Sequence, residues 1–254
     1  MTTGRRVALA IGVPLCLALT VNTGFDLVAN VGRGKIPVTY HAPAGARQVS
    51  VTTSSGDVLL RQGSGGQASF AGTGTYSLIR PRVRERSVGG DASFGYQCRV
   101  PEGPCYLDGT LTVPAGMAVS VWTGGGQVAA DGTTGAVTLS TGGGNVTANA
   151  VSGSLSLSTG GGGVQATGVA ATRVSVDAGG GSIEIVFTTV PRNVKVSTGG
   201  GNITIVVPRG GTHYHVVAVT GGGSVDEPVP IDSTSPNLIT ATSGGGNITI
   251  REAT

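Results

Sequence analysis

The acidic and histidine side chains are the groups in this sequence best suited to catalysis, and they are sparse. Only 11% of the 254 residues are charged, and there are three histidines. β-Helix enzymes that cleave polysaccharides cluster acids along one face, whereas Asp177, Glu184 and Asp226 are scattered. The Gly-x-Ser-x-Gly motif of hydrolases is absent. We therefore expect no catalytic residue and no enzymatic activity.

Metal binding is the next chemistry to consider. His213 and His215 flank one residue of a predicted strand and would share a face, but no third ligand is evident beyond the nearby acids Asp226 and Glu227. Calcium-binding β-rolls repeat every nine residues with a chelating Asp. The glycine-rich repeat here is twice as long and carries Asn, Gln, Ser or Gly at that position. We expect no metal and no cofactor.

Two further features concern the cysteines and the single tryptophan. Cys98 and Cys105 flank a turn-forming spacer with Pro101 and Pro104, which in an exported chain predicts a disulfide. A zinc site would need a second ligand pair, which the sequence lacks.

Trp122 is expected to face outward, where it could stack on a sugar ring or cover a neighbouring hairpin.

These residues are embedded in a repeat whose mark is three consecutive glycines between two short apolar runs. The spacings of the triplets are 18, 18, 19, 20, 22 and 23 residues. A degenerate copy lies upstream at 51–58. The first glycines of the triplets are Gly124, Gly142, Gly160, Gly179, Gly199, Gly221 and Gly244. A period near 20 that lengthens gradually is typical of a solenoid with loops growing on one side.

Alternation with period two predicts β-strands on both sides of each triplet, with β-branched residues inside. Ser140, Ser158 and Asp177 then face outward on one strand and Glu184 on the other, so the outer wall is polar and rich in hydroxyls. We expect the glycines to supply sharp bends and positive φ values. The threonines before the triplets are expected to stack their hydroxyls from turn to turn. Asn145, Asn202 and Asn247 would make local side-chain to backbone bonds.

The N-terminus resembles an export signal. Arg5 and Arg6 precede an apolar stretch at 7–21, which serves either as an uncleaved membrane anchor or as a cleaved signal peptide. We divide the chain into this signal segment with a short linker (1–35), a β region with one degenerate repeat and hairpins (36–112), and the Gly-Gly-Gly solenoid (113–254).

The basic residues form one recognisable pattern in the sequence. The net charge is +3, and the basic residues are dispersed apart from four arginines at period two, which a strand places on one face. No stacking aromatics or motif accompany them, so we expect no nucleic-acid binding; a solvated face, or contact with an anionic lipid or wall polymer, remains open. The four are Arg80, Arg82, Arg84 and Arg86.

The repeated units resemble the bacterial "putative adhesin" repeat family, a domain of unknown function common in actinobacteria. The resemblance is carried by Ala42-Pro43-Ala44-Gly45, by Val113-Pro114-Ala115-Gly116 and by the turn units, over about residues 36–251. It implies one N-terminal membrane segment before the repeats. Family turns more often carry Ser-Gly-Asp than the Gly-Gly-Asn found here.

These observations predict an all-β protein: a β-solenoid of about seven to eight stacked strand-GGG-strand turns, preceded by one N-terminal transmembrane or signal helix. We expect a non-enzymatic, membrane-anchored extracytoplasmic module for envelope structure or adhesion, secreted if the signal is cleaved. Its partners would be the membrane and a cell-wall polymer or envelope protein. The alternatives are a carbohydrate-binding or polysaccharide-cleaving β-helix protein, and a scaffold that self-associates through an edge at 247–250.

Overall fold

The computed structural model describes residues 33–99 and 104–254, which form twenty-one β-strands. The predicted N-terminal helix lies outside these residues. Within them, no helix is long and apolar enough to cross a membrane. The strands are β1 (Arg33–His41), β2 (Gln48–Thr53), β3 (Val58–Gln62), β4 (Ser69–Ser77), β5 (Arg82–Val88), β6 (Asp91–Gln97), β7 (Tyr106–Val113), β8 (Ala118–Thr123), β9 (Val128–Asp131), β10 (Val137–Thr141), β11 (Val146–Asn149), β12 (Leu155–Thr159), β13 (Val164–Val169), β14 (Arg173–Ala178), β15 (Ile183–Phe187), β16 (Asn193–Thr198), β17 (Ile203–Val207), β18 (His215–Thr220), β19 (Val225–Asp226), β20 (Leu238–Ser243) and β21 (Ile248–Glu252).

The strands build two long, largely parallel sheets. Sheet A has the order β1-β4-β7-β3-β9-β11-β13-β15-β17-β21-β19, and sheet B the order β18-β20-β16-β14-β12-β10-β8-β2-β6-β5. A coil, as used below, is a pair of consecutive strands, one from each sheet, joined by a corner. The all-β solenoid predicted from the repeats is confirmed at this level.

The core lies between the sheets and consists of rows of identical positions. Val137, Leu155, Val174 and Val194 follow one another in register across sheet B, and all are at most 3% exposed. In each row, a β-branched or leucine side chain packs against the side chain at the same position in the next coil. Repetition thus buries small aliphatic residues without a thick globular core.

Close backbone approach explains the glycine triplets. None of the triplet glycines has a positive φ, so the expectation that they supply positive φ values was wrong. Instead, a Cβ added to Gly142 or Gly144 would collide with the carbonyl oxygens of Gly124 and Gly126 in the preceding coil, whereas one added to Gly143 would meet nothing. The first and third glycines are needed because successive corners stack backbone on backbone.

The threonine that precedes most of the triplets hydrogen-bonds two coils together, and it is buried in all of these corners except that of the half-buried Thr220. Thr159 Oγ1 donates a hydrogen bond to the carbonyl of Gly144 in the preceding coil (2.7 Å) and accepts one from the N–H of Gly162 in its own corner (3.0 Å). Thr141, Thr198, Thr220 and Ser243 repeat the arrangement. The predicted hydroxyl-to-hydroxyl stacking occurs once, between Thr53 and Thr123; elsewhere the hydroxyls bond to glycine backbone.

One coil lacks this tie, because Ala178 occupies the threonine position. We expect Ala178→Thr to stabilise the protein by about 1 kcal/mol, since its hydroxyl could donate to the Gly162 carbonyl and accept from the Gly181 N–H. Thermal unfolding of the two proteins measures the change. Ala166→Thr is the control: it buries a hydroxyl in the opposite sheet, away from any glycine corner, and should destabilise. A lower melting temperature for Ala178→Thr would contradict the prediction.

At several corners the residue that follows the turn links its coil to a neighbouring one. Asn202 Oδ1 accepts the backbone N–H of Asn247 (2.9 Å), and Asn145 Oδ1 accepts that of Gly163 (2.9 Å). These bonds run between coils, not locally as predicted. Asp57 Oδ1 accepts the N–H of Gln127 in the same way (2.7 Å). At this position an aspartate and an asparagine therefore both accept a hydrogen bond from a backbone N–H of the neighbouring coil, and neither needs an ion to do so.

The coils do not stack in chain order at either end. The degenerate copy at β2–β3 stacks directly on β8–β9, and β6–β7 forms a further coil outside it. At the other end β20–β21 inserts between β16–β17 and β18–β19. The edge predicted at 247–250 is therefore partly covered, because β19 pairs with Ile248 and Thr249 of β21. The open edges at this end belong to β18, to β19 and to the end of β21 that β19 does not cover.

The first end of the solenoid is closed by antiparallel strands. β4 pairs with β7, β1 pairs with β4, and β5 pairs with β6, all antiparallel. Beneath them Phe94 packs between Tyr40 and Phe70, with ring centroids 5.3 and 5.2 Å apart. Large aromatic rings close this end, whereas valine and isoleucine fill the central coils.

Candidate functional site

The outer wall of sheet B brings together four of the five surface residues singled out from the sequence. Trp122, Ser140, Ser158 and Asp177 occupy consecutive strands in register, one strand spacing apart. Parallel in-register stacking places neighbours in such a row about 4.8 Å apart. The row extends through Ser197 and Thr242 to Val219 on one side, and through Thr52, Gly95 and Arg84 on the other.

A second row runs parallel to the first and is almost entirely hydroxyl-bearing. Its one charged side chain between the two ends is Lys195. The row comprises Arg86, Ser93, Ser50, Ser120, Thr138, Ser156, Ser175, Lys195, Thr240 and Val217. The wall thus offers a flat field of donors and acceptors at regular spacing.

Trp122 is the one large aromatic side chain in this field. Its side chain is 45% exposed, and its row neighbours Thr52 and Ser140 are small. Because its row neighbours are small, they leave the exposed part of the indole accessible to a flat ligand.

A shallow groove of about 390 Å³ lies on the same wall, across the first residues of β10, β12, β14 and β16, and Trp122 does not line it. The hydroxyl residues Thr138, Ser156 and Ser175 line it, together with the cations Arg173 and Lys195. The two cations suit an anionic group, and the hydroxyls suit the polar groups of a polymer lying along the wall.

The arginines at period two belong to the same wall. Arg82, Arg84 and Arg86 lie on β5 opposite Gln97, Gly95 and Ser93, on the outer side of the sheet, and all three are exposed. Arg80 precedes the strand. Sequence reasoning did not connect these arginines with Trp122, because β5 lies three strands away from β8 only after the coils have stacked out of chain order.

Glu184, the fifth surface residue, lies on the opposite wall. It belongs to a sheet A row with Gln165 and Thr204, and Gln165 Nε2 donates a hydrogen bond to it (3.3 Å). The core separates Asp177 from Glu184, so these two acids cannot flank one glycosidic bond as a carboxylate pair must.

His213 and His215 lie at the start of the β18–β19 coil, at the open end of the stack. The backbone carbonyl of His213 accepts hydrogen bonds from the side chains of Ser235 and Asn237. Asp232 is nearby, and hydrogen bonds from Thr234, with the charges of His213 and His215, lower the pKa of its carboxyl. Across residues 33–99 and 104–254, no three His, Cys, Asp or Glu side chains are grouped so that they could hold a metal ion.

Cys98 and Cys105 are joined by a disulfide, with their Cα atoms 6.0 Å apart. They occupy the corner between β6 and β7, where the later coils have glycines. The Cys98 N–H donates to Ser54 Oγ (3.1 Å) and the Leu107 N–H to the Ser55 carbonyl (2.9 Å). The bridge therefore holds an end corner against the degenerate corner at 54–56.

The buried tyrosines are structural. Burial raises the pKa of Tyr96 to about 12, with Tyr76 nearby adding to the effect. Burial and the charge of Glu252 raise the pKa of the Tyr214 hydroxyl, which has no hydrogen-bond partner among the described residues. Both phenols are neutral at physiological pH and neither lies on the wall.

We expect Tyr214→Phe to stabilise the protein by about 1 kcal/mol, since it removes a buried hydroxyl without a partner and keeps the ring. Urea unfolding would measure the change. Tyr96→Phe is the matched control and should destabilise, because the Tyr96 hydroxyl donates to the carbonyl of Thr75. If both variants lost stability equally, the Tyr214 hydroxyl would have a partner in solution.

Comparison with known proteins adds a family and a fold. No curated protein matches the chain. A solved structure titled as a "putative adhesin" from Bacteroides fragilis NCTC 9343 is similar at 16% identity and a TM-score of 0.50, covering 87% of this chain and 97% of that one. A second, from Parabacteroides merdae ATCC 43184, shows 12% identity and a TM-score of 0.49 over 89% and 98%. The family model Toastrack DUF4097 matches residues 15–251, nearly the whole sequence, and the chain therefore belongs to this family.

Proposed function

We propose that this protein is a non-catalytic adhesion module of the bacterial envelope that binds an acidic surface polymer along the outer wall of sheet B. The half-exposed Trp122, set among small hydroxyl residues, is the observation that carries the proposal. The name of the similar solved structure from Bacteroides fragilis, which refers to an adhesin, supports it. The basic residues and apolar stretch at the N-terminus support an extracytoplasmic, membrane-anchored location.

The chemistry of the wall favours a glycan-type ligand. An indole face stacks on the apolar face of a sugar ring, and rows of hydroxyls exchange hydrogen bonds with sugar hydroxyls. Arg82, Arg84 and Arg86 at one end and Arg173 with Lys195 beside the groove would pair with carboxylate or phosphate groups. Asp177 lies on the same wall, on the strand that carries Arg173, and favours an extended ligand whose negative charges are spaced apart.

Binding to isolated cell-wall fractions tests the proposal. With the full-length protein in detergent, Trp122→Ala should weaken co-sedimentation with wall polymer at least tenfold, the scale of an aromatic hot spot. Trp122→Phe should retain most of the binding, because it keeps an aromatic face. Gln165→Ala, on the opposite wall, is the control and should bind normally. Wild-type protein that binds no envelope fraction, or Trp122→Ala that binds as well as wild type, would refute the proposal.

The charged end of the wall gives an independent arm. Replacing Arg82, Arg84 and Arg86 with Gln should weaken binding and flatten its salt dependence, because exposed ion pairs are screened by salt. Arg61→Gln, an exposed arginine on sheet A, is the matched control.

The rival function, cleavage of a polysaccharide, makes a different prediction. It requires soluble fragments to be released from the polymer, and their release to stop in Asp177→Asn or Glu184→Gln. We expect no release by wild-type protein, because the two acids face opposite sides of the solenoid. Sustained release by wild-type protein would overturn the non-catalytic assignment.

A further inference from the structure

β18 is an open edge strand of sheet B. The N–H groups of His215 and Gly221 donate to carbonyls of the β20 side, Asn237 and Ser243. In a strand the alternate residues turn their backbone groups the other way. The N–H and C=O groups of Val216, Ala218 and Thr220 therefore face the open side, where no described residue bonds to them.

The outward side chains of this edge are apolar. Val217 and Val219 are 43% and 58% exposed, in rows where the neighbouring strand carries Thr240 and Thr242. Val216 and Ala218 on the other face pack against the core. The strand from Val216 to Thr220 carries no charge and no proline.

The other sheet edges are guarded against strand addition. β5 carries three exposed arginines, and β1 carries Lys35 and Pro37. Charged residues and proline are the usual means of blocking pairing at an edge. At the open end, sheet A contributes the two-residue strand β19, which includes an exposed Asp226, and the end of β21 that β19 does not cover, which carries Arg251 and Glu252. β18 is thus the long edge that lacks such protection.

We propose that β18 pairs antiparallel with β18 of a second copy of this chain, joining two solenoids end to end about a two-fold axis through Ala218. Each Ala218 would face its counterpart in a pair that exchanges two hydrogen bonds, and Val216 would do the same with Thr220 of the other copy. Val217 would lie opposite Val219, placing two β-branched pairs on the outer face.

Self-complementarity is the reason for choosing a second copy as the occupant. The two-fold axis matches donor to acceptor and valine to valine with no like charges opposed, as an isologous interface requires. The length also fits, since Tyr214 is already paired with the segment 230–232 through hydrogen bonds to Pro230 and from Asp232. The open edge therefore begins at Val216 and ends at the Gly221 corner.

β18 lies at the end of the solenoid that is far from the N-terminal segment. β1 is the first strand of sheet A and β19 the last, so the residues that follow the N-terminal segment lie at the end opposite the open edge, on the order of 50 Å away. Copies anchored by their N-termini would meet tip to tip. This homophilic contact uses the open backbone edge of sheet B, six strands from Trp122, and does not depend on polymer binding.

Sedimentation of the full-length protein in detergent tests the proposal from about 1 to 100 µM, a range that brackets a weak interface. Wild type should shift from monomer to dimer, and Val217→Lys/Val219→Lys should remain monomeric, because the two-fold axis would oppose the new charges. Thr240→Lys/Thr242→Lys places the same charges on the adjacent interior strand and should still dimerise. A wild-type monomer throughout, or a dimer that survives the Val217/Val219 change, would overturn the proposal.

Disulfide trapping locates the contact independently. In a Cys16→Ser background, Val217→Cys/Val219→Cys should form an intermolecular bond on mild oxidation, and Thr240→Cys/Thr242→Cys should not. Equal crosslinking of both variants, or none in the first, would also count against the pairing. Trp122→Ala, which should lose wall binding, should dimerise like the wild-type protein, so that failure of one proposal is distinguishable from failure of the other.

Discussion

Gly144→Ala should unfold or severely destabilise this protein, whereas Gly143→Ala, one residue earlier, should leave it intact. The Cβ of an alanine at position 144 would collide with the carbonyl of Gly126 in the preceding coil, and backbone atoms cannot swing aside as a side chain can. Relief would require the two corners to separate, which would break bonds on either side. We expect a loss of about 3 kcal/mol or more, the upper range for overpacking.

Gly143 is the matched control because it belongs to the same triplet. An alanine there meets no atom within 4 Å, and the residue has no positive φ. Gly→Ala at a compatible position stabilises by roughly 0.4 to 1 kcal/mol by reducing the entropy of the unfolded chain. Urea unfolding followed by circular dichroism would compare the two. Equal stability of the two variants would show that the corners are not held at the observed separation.

Thr159→Val should cost about 3 kcal/mol although it preserves the shape of the side chain. Removal of the hydroxyl leaves the Gly162 N–H and the Gly144 carbonyl without their partner in a half-buried corner. An orphaned group costs roughly 1 to 3 kcal/mol, more than the net value of the bond itself, so the two together cost about 3 kcal/mol at partial burial. The change should appear as a lower urea midpoint.

Ser158→Ala provides the control for this effect. Ser158 precedes Thr159 on the same strand but faces the outer wall, and surface substitutions of this kind usually change stability by at most about 0.5 kcal/mol. A Thr159→Val variant as stable as Ser158→Ala would mean that water enters the corner and replaces the hydroxyl. Hydrogen exchange at the Gly162 amide would then be fast in the wild-type protein.

The corners also explain why the repeat can vary as it does. The position after the glycines accepts a backbone N–H of the next coil through Asn145, Asn202 or Asp57, so an amide and a carboxylate serve equally. The threonine position tolerates Ser243 and even Ala178, because a missing tie affects one coil boundary only. The first and third glycines recur in all seven triplets, since a Cβ there would meet backbone each time.

The strand alternation was enough to predict the all-β solenoid and its inward rows. Val137, Leu155 and Val174 lie in the core because side chains in a strand alternate strictly between faces. The coil at β6–β7 was missed and interpreted as hairpins, because a disulfide corner between Cys98 and Cys105 replaces the glycine triplet there. Self-comparison of the sequence detects only corners of similar composition.

The periodic residues therefore determine the internal structure of each coil, but not its position in the stack. Every coil offers nearly the same hydrogen-bonding edge, so β20–β21 can stack on β16–β17 although β18–β19 precedes it in the chain. The stacking order of the coils is a property of the tertiary structure. It departs from chain order at the two ends, where the chain connects coils that are not adjacent in the stack. That order alone places the β5 arginines on the wall of Trp122 and makes β18 the long unprotected edge.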